Sequence, residues 1–412
     1  MEISIKKRTI FNFLLLLPFM EPYLFQAEYP QIHKVYWILK FISCAIIFVI
    51  KIINIEDKNG WQIFPVKIKQ PVFLSWIVFW AYLLVNTIIQ GDMTKNFFVN
   101  IFSVLFVMWW LSENENSMKD FINVLLLWAE ILIYLNLACM FIFPQGMYVS
   151  LSTGNATNWL LGYDNFFEQT FIPAYILSLI YAYQNKKYLR TIVLIIAMHI
   201  SAFITKPGVL VVSLAFMDIC LLFGIYKLRN LFNLGTNIAI IFLTMIGIFF
   251  FNIQTEFGSV IFDLLGKDAT FTGRTIIWTH IWELIKEAPI FGYGFSDGYI
   301  RLSKMDYILN GAFNAHNQIL EFLWEGGMVL LLIFIVCTMA TIKKSRQMTG
   351  SIAQFLVLGI TTIFITFIVK AYIQTTPIFI FLLWGLMDYS SVLSDKNLAK
   401  EKVRKLYASV VN

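Results

Sequence analysis

The chain of 412 residues is 59% apolar and only 14% charged, with a mean hydropathy of +0.72. Soluble domains average about 45–50% apolar and about 25% charged residues, so this composition excludes a soluble enzyme, a disordered protein and a nucleic-acid binder. The chain reads as a polytopic membrane protein, and its formal net charge of +6 matters mainly through where the cations fall.

A membrane helix needs about 20 predominantly apolar residues, and roughly twelve runs come near that length. They lie at about 9–26, 35–55, 71–90, 96–111, 119–143, 166–183, 189–205, 207–226, 234–252, 318–341, 351–370 and 374–391. The first is interrupted by Pro18 and Glu21 and the fourth is short, so either could be tilted or re-entrant. The N-terminal run carries no small-residue cleavage site and reads as a retained first span rather than a signal peptide. Cys44, Cys139, Cys220 and Cys337 all sit inside apolar runs without paired spacing, as small core side chains rather than disulfides or zinc ligands.

Alternate connections carry very different charge. One set holds 20 Lys and Arg, including Lys6, Lys7 and Arg8, Lys67 and Lys69, Lys343, Lys344 and Arg346, and the basic tail. The short loops of the other set hold only Lys34, Lys95, Lys206 and Lys370. Positive charge stays inside, so both termini are expected in the cytoplasm and the long segment preceding the tenth span outside. The expected organisation is therefore membrane helices over 1–252, an extracytoplasmic loop over 253–317, membrane helices over 318–391 and a basic cytoplasmic tail over 392–412. No internal repeat is visible, and the single large loop makes the two halves unlike, against transporters built from matched repeats.

Within the long loop, residues 275–288 place Ile277, Trp278, Ile281, Trp282 and Ile285 on one side and Thr279, His280, Glu283 and Glu287 on the other. That pattern predicts an amphipathic helix lying on the outer membrane surface. Pro289 ends it, and Gly292 and Gly294 predict a turn in the segment after it.

Arg274 stands at the start of that helix, where the helix dipole disfavours a cation unless an anion is also present. An anion site accounts for this placement; a solvated or lipid-bound arginine is the competing reading. Lys206, before Pro207 and Gly208, is expected at the N-terminus of the following span, or else to snorkel to the interface. Arg301 and Lys304, in a polar stretch, are less specific and read first as a solvated loop face. His316 is grouped with Asn314, Asn317, Glu321 and Glu325, and the last three, spaced by four, share one helix face running into the membrane. An ionisable group there costs about 2.5–3.5 kcal/mol, so a function or a polar partner is expected. No Asp-x-Asp pair, Walker loop, His-Glu-x-x-His or Gly-x-Ser-x-Gly occurs, which removes support from nucleotide-driven and zinc chemistry.

Gly273-Arg274, Trp278, the Pro289–Gly294 turn, His316-Asn317 and Glu325-Gly326-Gly327 follow one another in an order that resembles the O-antigen ligase and polysaccharide polymerase superfamily of bacterial surface-glycan assembly. The resemblance covers architecture over most of the chain and motifs over about residues 201–330. It implies an all-α membrane-embedded glycosyltransferase of the GT-C type in the bacterial cytoplasmic membrane, with about twelve spans and no metal or other cofactor. The implied substrate is an undecaprenyl-diphosphate-linked oligosaccharide, transferred with inversion at the outer membrane face. Arg274 and His316 match the family's functional arginine and histidine, whereas Lys206 stands where members usually carry Ser-Arg. Arg274, Lys206 and Arg301 are then candidates for the diphosphate, and His316, Arg274, Glu321 and Glu325 for catalysis, with His316 or a neighbouring carboxylate accepting the proton of the attacking hydroxyl. The expected activity is repeat-unit polymerisation for a capsule or exopolysaccharide, with membrane lipid and, in the same pathway, a flippase and a chain-length regulator as partners. Ligase-like transfer to a lipid or protein, and a lipid-linked oligosaccharide flippase, are the alternatives.

Overall fold

The computed structural model describes residues 7–59, 70–90, 95–150, 156–223, 233–251, 274–295, 314–389 and 393. Proline divides the first predicted span, because its ring and missing N–H end a helix. Helix α1 (Lys7–Leu16) gives way to a 3-10 turn, Leu17–Met20, with Pro18 in its first turn; Pro22 then caps the short α2 (Tyr23–Glu28). After these come α3 (Pro30–Asn59), α4 (Pro71–Ile89), α5 (Lys95–Trp110) and α6 (Met118–Ile142). A small antiparallel sheet follows, made of β1 (Tyr148–Ser150), β2 (Ala156–Trp159) and β3 (Gly162–Tyr163), with Tyr148 opposite Asn158 and Asn158 opposite Tyr163. The remaining helices are α7 (Glu168–Asn185), α8 (Leu189–Thr205), α9 (Gly208–Leu222), α10 (Leu234–Phe251), α11 (Arg274–Glu287), α12 (Gln318–Gln347), α13 (Ser351–Thr366) and α14 (Ile378–Leu386).

Among the described residues, five helices are long and apolar enough to cross a membrane: Pro30–Ile53, Pro71–Ile89, Phe97–Glu115, Met118–Ile142 and Gln318–Gln347. Shorter apolar helices accompany them at Leu189–Thr205, Gly208–Leu222, Leu234–Ile248, Ser351–Thr366 and Ile378–Tyr389. The fold is thus an all-α membrane bundle with one small sheet. Its outward faces are apolar, with Leu222 84% and Phe203 78% exposed, as a surface that meets hydrocarbon requires. The interior is aromatic: Trp76 on α4 packs against Phe381 and Trp384 of α14, and Phe79 against Phe322 of α12, at ring separations of 4.9–5.4 Å.

Charges inside the predicted spans are paired, as their desolvation demands. Lys40 bonds Glu21 at 2.8 Å and Lys51 bonds Glu113 at 2.9 Å. Arg190 holds both carboxylate oxygens of Glu130, at 2.7 and 2.6 Å, and also donates to Asn123. At the start of α4, the carboxylate of Asp388 accepts the free N–H groups of Val72 and Phe73 at 3.2 and 2.8 Å.

Helix α12 is broken. Gly327 has φ +61° and ψ −160°, so the helical hydrogen bonds spanning it are lost. The turn at 289–294 enters the break and replaces them. Tyr293 and Gly294 donate N–H groups to the carbonyls of Trp324 and Glu325 at 2.9 and 2.8 Å, while Met328 and Val329 donate to those of Pro289 and Ile290 at 2.9 and 3.2 Å. Helix α4 seals the splice: Tyr82 donates to the Gly326 carbonyl at 2.7 Å, and Asn86 to the carbonyls of Phe291 and Glu325 at 2.8 and 3.1 Å. Non-helical backbone at membrane depth is tolerated only when satisfied in this way.

The amphipathic helix predicted at 275–288 forms as α11, but its apolar side is not laid on lipid. Ile277, Trp278, Ile281, Leu284 and Ile285 are buried in one cluster with Ile248 of α10 and Leu320, Leu323 and Trp324 of α12. Trp282, predicted on the apolar side, is 42% exposed. Protein rather than bilayer covers this face because the splice ties residue 289 onward to α12 and holds α11 against it.

Candidate functional site

The loop before α12 is built to hold His316. Asn317 is the N-cap: its side-chain oxygen accepts from the N–H groups of Ile319 and Leu320, both at 3.0 Å, and its amide donates to the Ile368 carbonyl at 2.9 Å. Asn314 accepts the His316 N–H at 2.8 Å, Glu321 accepts the Ala315 N–H at 2.6 Å, and the Trp278 indole donates to the Ala315 carbonyl at 3.0 Å. Held by these bonds, His316 adopts φ +46°, in the left-handed region that a non-glycine residue rarely occupies. Trp278 lies one turn after Arg274, so the same indole that fixes the His316 loop also fixes the start of α11.

Two residues that the sequence reading passed over complete the cluster. Glu168, fully buried, opens α7, and Lys370 lies in the link between α13 and α14, with its Nζ 3.3 Å from Glu168 Oε1 and 2.6 Å from the Asn165 carbonyl. Glu168 also acts electrostatically on Arg274, and Arg274 and Lys370 both act on His316. Four ionisable groups from α7, the start of α11, the loop before α12 and the α13–α14 link therefore share one site. Burial, reinforced by Arg274 and then Lys370, pushes the His316 imidazole down to about 3, so the ring is neutral. Burial also lowers the Arg274 guanidinium, against the opposing pull of Glu168 and Tyr163, and leaves it charged.

The helix start at Arg274 thus has part of its expected anion within the protein itself. Asp164, in the turn that leads into α7, also acts on Glu168 and Lys370, so two cations meet two carboxylates within the cluster.

The other predicted residues are placed differently. Lys206 caps the C-terminus of α8, with φ +51° and its N–H donating to the Ala202 carbonyl at 2.8 Å; its side chain is exposed. This corrects the expectation of a lysine at the next helix N-terminus, because Pro207, not Lys206, caps α9 and Gly208 begins it. A cation at a helix C-terminus complements the dipole without any ligand. Glu321 is buried and also receives the Gln374 amide at 3.3 Å, which makes it a brace for the His316 loop. Glu325 is buried at the splice, about one turn further along α12. Arg301 and Lys304 lie outside the described residues.

Glu168 left a signal in the sequence, an ionisable side chain inside the apolar run 166–183, whereas Lys370 looked like any short-loop lysine. His33 and His199 also have carboxylate partners, Glu21 and Asp218, each at 2.8 Å, so His316 is not singular in having polar company.

The described residues thus combine a broken, protein-sealed helix and a buried cluster of ionisable groups in an apolar membrane bundle. Residues 169–335 match the family model described as O-antigen ligase, and over that stretch the chain is similar to this family. The match contains Arg274 and His316 but begins one residue after Glu168 and ends before Lys370. No curated protein matches the sequence.

Proposed function

We propose that the protein polymerises undecaprenyl-diphosphate-linked repeat units at the outer face of the bacterial cytoplasmic membrane, as a metal-independent inverting glycosyltransferase. The observation that carries this reading is the convergence of Arg274 and Lys370 on His316, with buried Glu168 paired to Lys370. Arg274 and Lys370 hold the diphosphate and stabilise the charge that develops on it as the bond from the anomeric carbon to the phosphate oxygen breaks. The acceptor hydroxyl oxygen attacks that carbon from the opposite side, its proton passes to His316, and undecaprenyl diphosphate departs.

Burial makes His316 a weak base, and the two cations beside it add to the effect. A bound diphosphate offsets both cations, so donor binding raises the basicity of the imidazole at the moment it is needed. Glu321 and Asn317 act by positioning the His316 loop.

Purified protein supplied with lipid-linked repeat unit should elongate it, and should continue to do so in excess EDTA. Activity lost on chelation and restored by Mg²⁺ or Mn²⁺ would reject the mechanism. Transfer only to a different lipid or protein acceptor would instead establish the ligase form of the same chemistry.

A further inference from the structure

A cavity of about 650 Å³ lies beside the cation cluster, within the range of about 300–1,000 Å³ typical of ligand sites. It is lined mainly by residues outside the 169–335 family match, from the broken α1–α2 region, α3, α5 and the segment leading into α14. At its wall, the Glu21 carboxylate, with its side chain only 1% exposed, is bonded by Lys40 and His33, each at 2.8 Å. The proline-flanked break between α1 and α2 is what carries Glu21 to this position.

Two further features say what the cavity suits. The amides of Asn100 and Gln169 line it, and neither bonds another described residue, so each offers both a donor and an acceptor. Trp37 and Phe379 add aromatic faces. Balanced charge, bifunctional amides and flat apolar surfaces together match sugar rings, which present hydroxyl groups at their edges and C–H groups on their faces, rather than a lipid tail or a free phosphate.

The cavity and the cluster are joined by two shared segments. Phe166 and Gln169 face the cavity while their neighbours Asn165 and Glu168 hold Lys370; Thr375 and Thr376 face it from the link that carries Lys370. We infer that this cavity is the glycan subsite, binding sugar residues of a lipid-linked substrate next to the transfer centre. The inference rests on the transferase reading for the identity of the glycan. Either the donor or the acceptor could supply the sugars, and the experiment separates them.

The probe is one repeat-unit oligosaccharide freed of lipid and phosphate by mild acid, titrated into the full-length protein in lipid nanodiscs while tryptophan fluorescence is read. Wild-type protein should bind it saturably. Gln169→Ala and Trp37→Leu should each weaken binding about tenfold, the loss of one good hydrogen bond or ring contact, and Glu21→Gln should do the same. Arg274→Lys should leave oligosaccharide binding unchanged. In elongation assays, Gln169→Ala should raise KM with little change in kcat: for the acceptor if the cavity holds the attacking glycan, for the donor if it holds the leaving one. Should Glu21→Gln fail to fold, the two milder variants decide the matter. Oligosaccharide binding and KM both unaltered in the milder variants, with wild-type elongation intact, would overturn the subsite and leave the transferase reading standing. Binding lost in these variants of a protein that proves to lack transfer activity would do the reverse.

Discussion

Arg274 and Lys370 look interchangeable as charges but differ in geometry. A guanidinium offers two parallel hydrogen bonds to a diphosphate and an ammonium does not, so Arg274→Lys should lower turnover by about 10²–10³ with normal expression. His316→Ala should be comparably damaging, and in both variants cells should accumulate single repeat units on lipid at the outer face. Units trapped on the cytoplasmic face would identify a flippase, and wild-type polymer length would remove both residues from the mechanism. His316 also makes stability depend on pH. Its imidazole is held at about 3, below the 6.5 of an exposed ring, so between these values the unfolded chain binds a proton that the folded one does not. Stability therefore rises with pH through that window and is lost as pH falls below about 6.5. Melting in detergent between pH 6.5 and 4 should show the fall. His316→Asn, which leaves no titrating ring, should make it shallower.

At the scale of elements, the splice between the 289–294 turn and α12 joins the end of α11 to α12, and among its glycines with positive φ are Gly292 and Gly327. A methyl at Gly327 would stand 2.2 Å from the Ile290 carbonyl oxygen, and one at Gly292 would stand 2.5 Å from that of Trp324, both on rigid backbone. Gly327→Ala and Gly292→Ala should each lower the melting temperature sharply and reduce the protein recovered from the membrane. Gly208→Ala is the contrast. Nothing lies within 4 Å of its added methyl, at the first position of α9, so it should melt at or slightly above the wild-type temperature. Equal losses at all three positions would mean that the splice has no special role. Asn86 belongs to the same element, since its amide serves both Phe291 and Glu325 from α4; Asn86→Leu should weaken the splice without touching the cation cluster.

The molecule as a whole is an apolar-surfaced bundle whose candidate chemistry is concentrated at the end that carries the long loop. The lysine and arginine bias predicts that this end is outside. A single cysteine at position 301, in a cysteine-free background, should react with a membrane-impermeant reagent from outside, and one at position 343 only after permeabilisation. The opposite pattern would reverse the orientation and every role built upon it. The same bundle keeps its charges in pairs, so breaking Lys51–Glu113 should destabilise the protein by leaving a buried charge unpaired, which a melting measurement would show.

Composition and periodicity alone determined that this is a helical membrane protein. They fixed the apolar runs to within a few residues of the helices at Pro71–Ile89 and Leu189–Thr205, and located the amphipathic helix and the turn after it. These are local properties: side-chain hydropathy repeats along the chain, and proline and glycine act on their own backbone. Arg274 and His316 were legible for the same reason, each being unusual in its own neighbourhood. What only the tertiary structure decided is what meets them. Glu168 lies 106 residues before Arg274 and Lys370 lies 54 after His316, and no local signal joins positions so far apart. The same holds for Lys206, whose role at a helix C-terminus depends on a backbone angle, and for α11, whose apolar face is equally suited to lipid and to protein until the splice presses it against α12. Hydropathy specifies that a face must be covered; packing alone specifies by what.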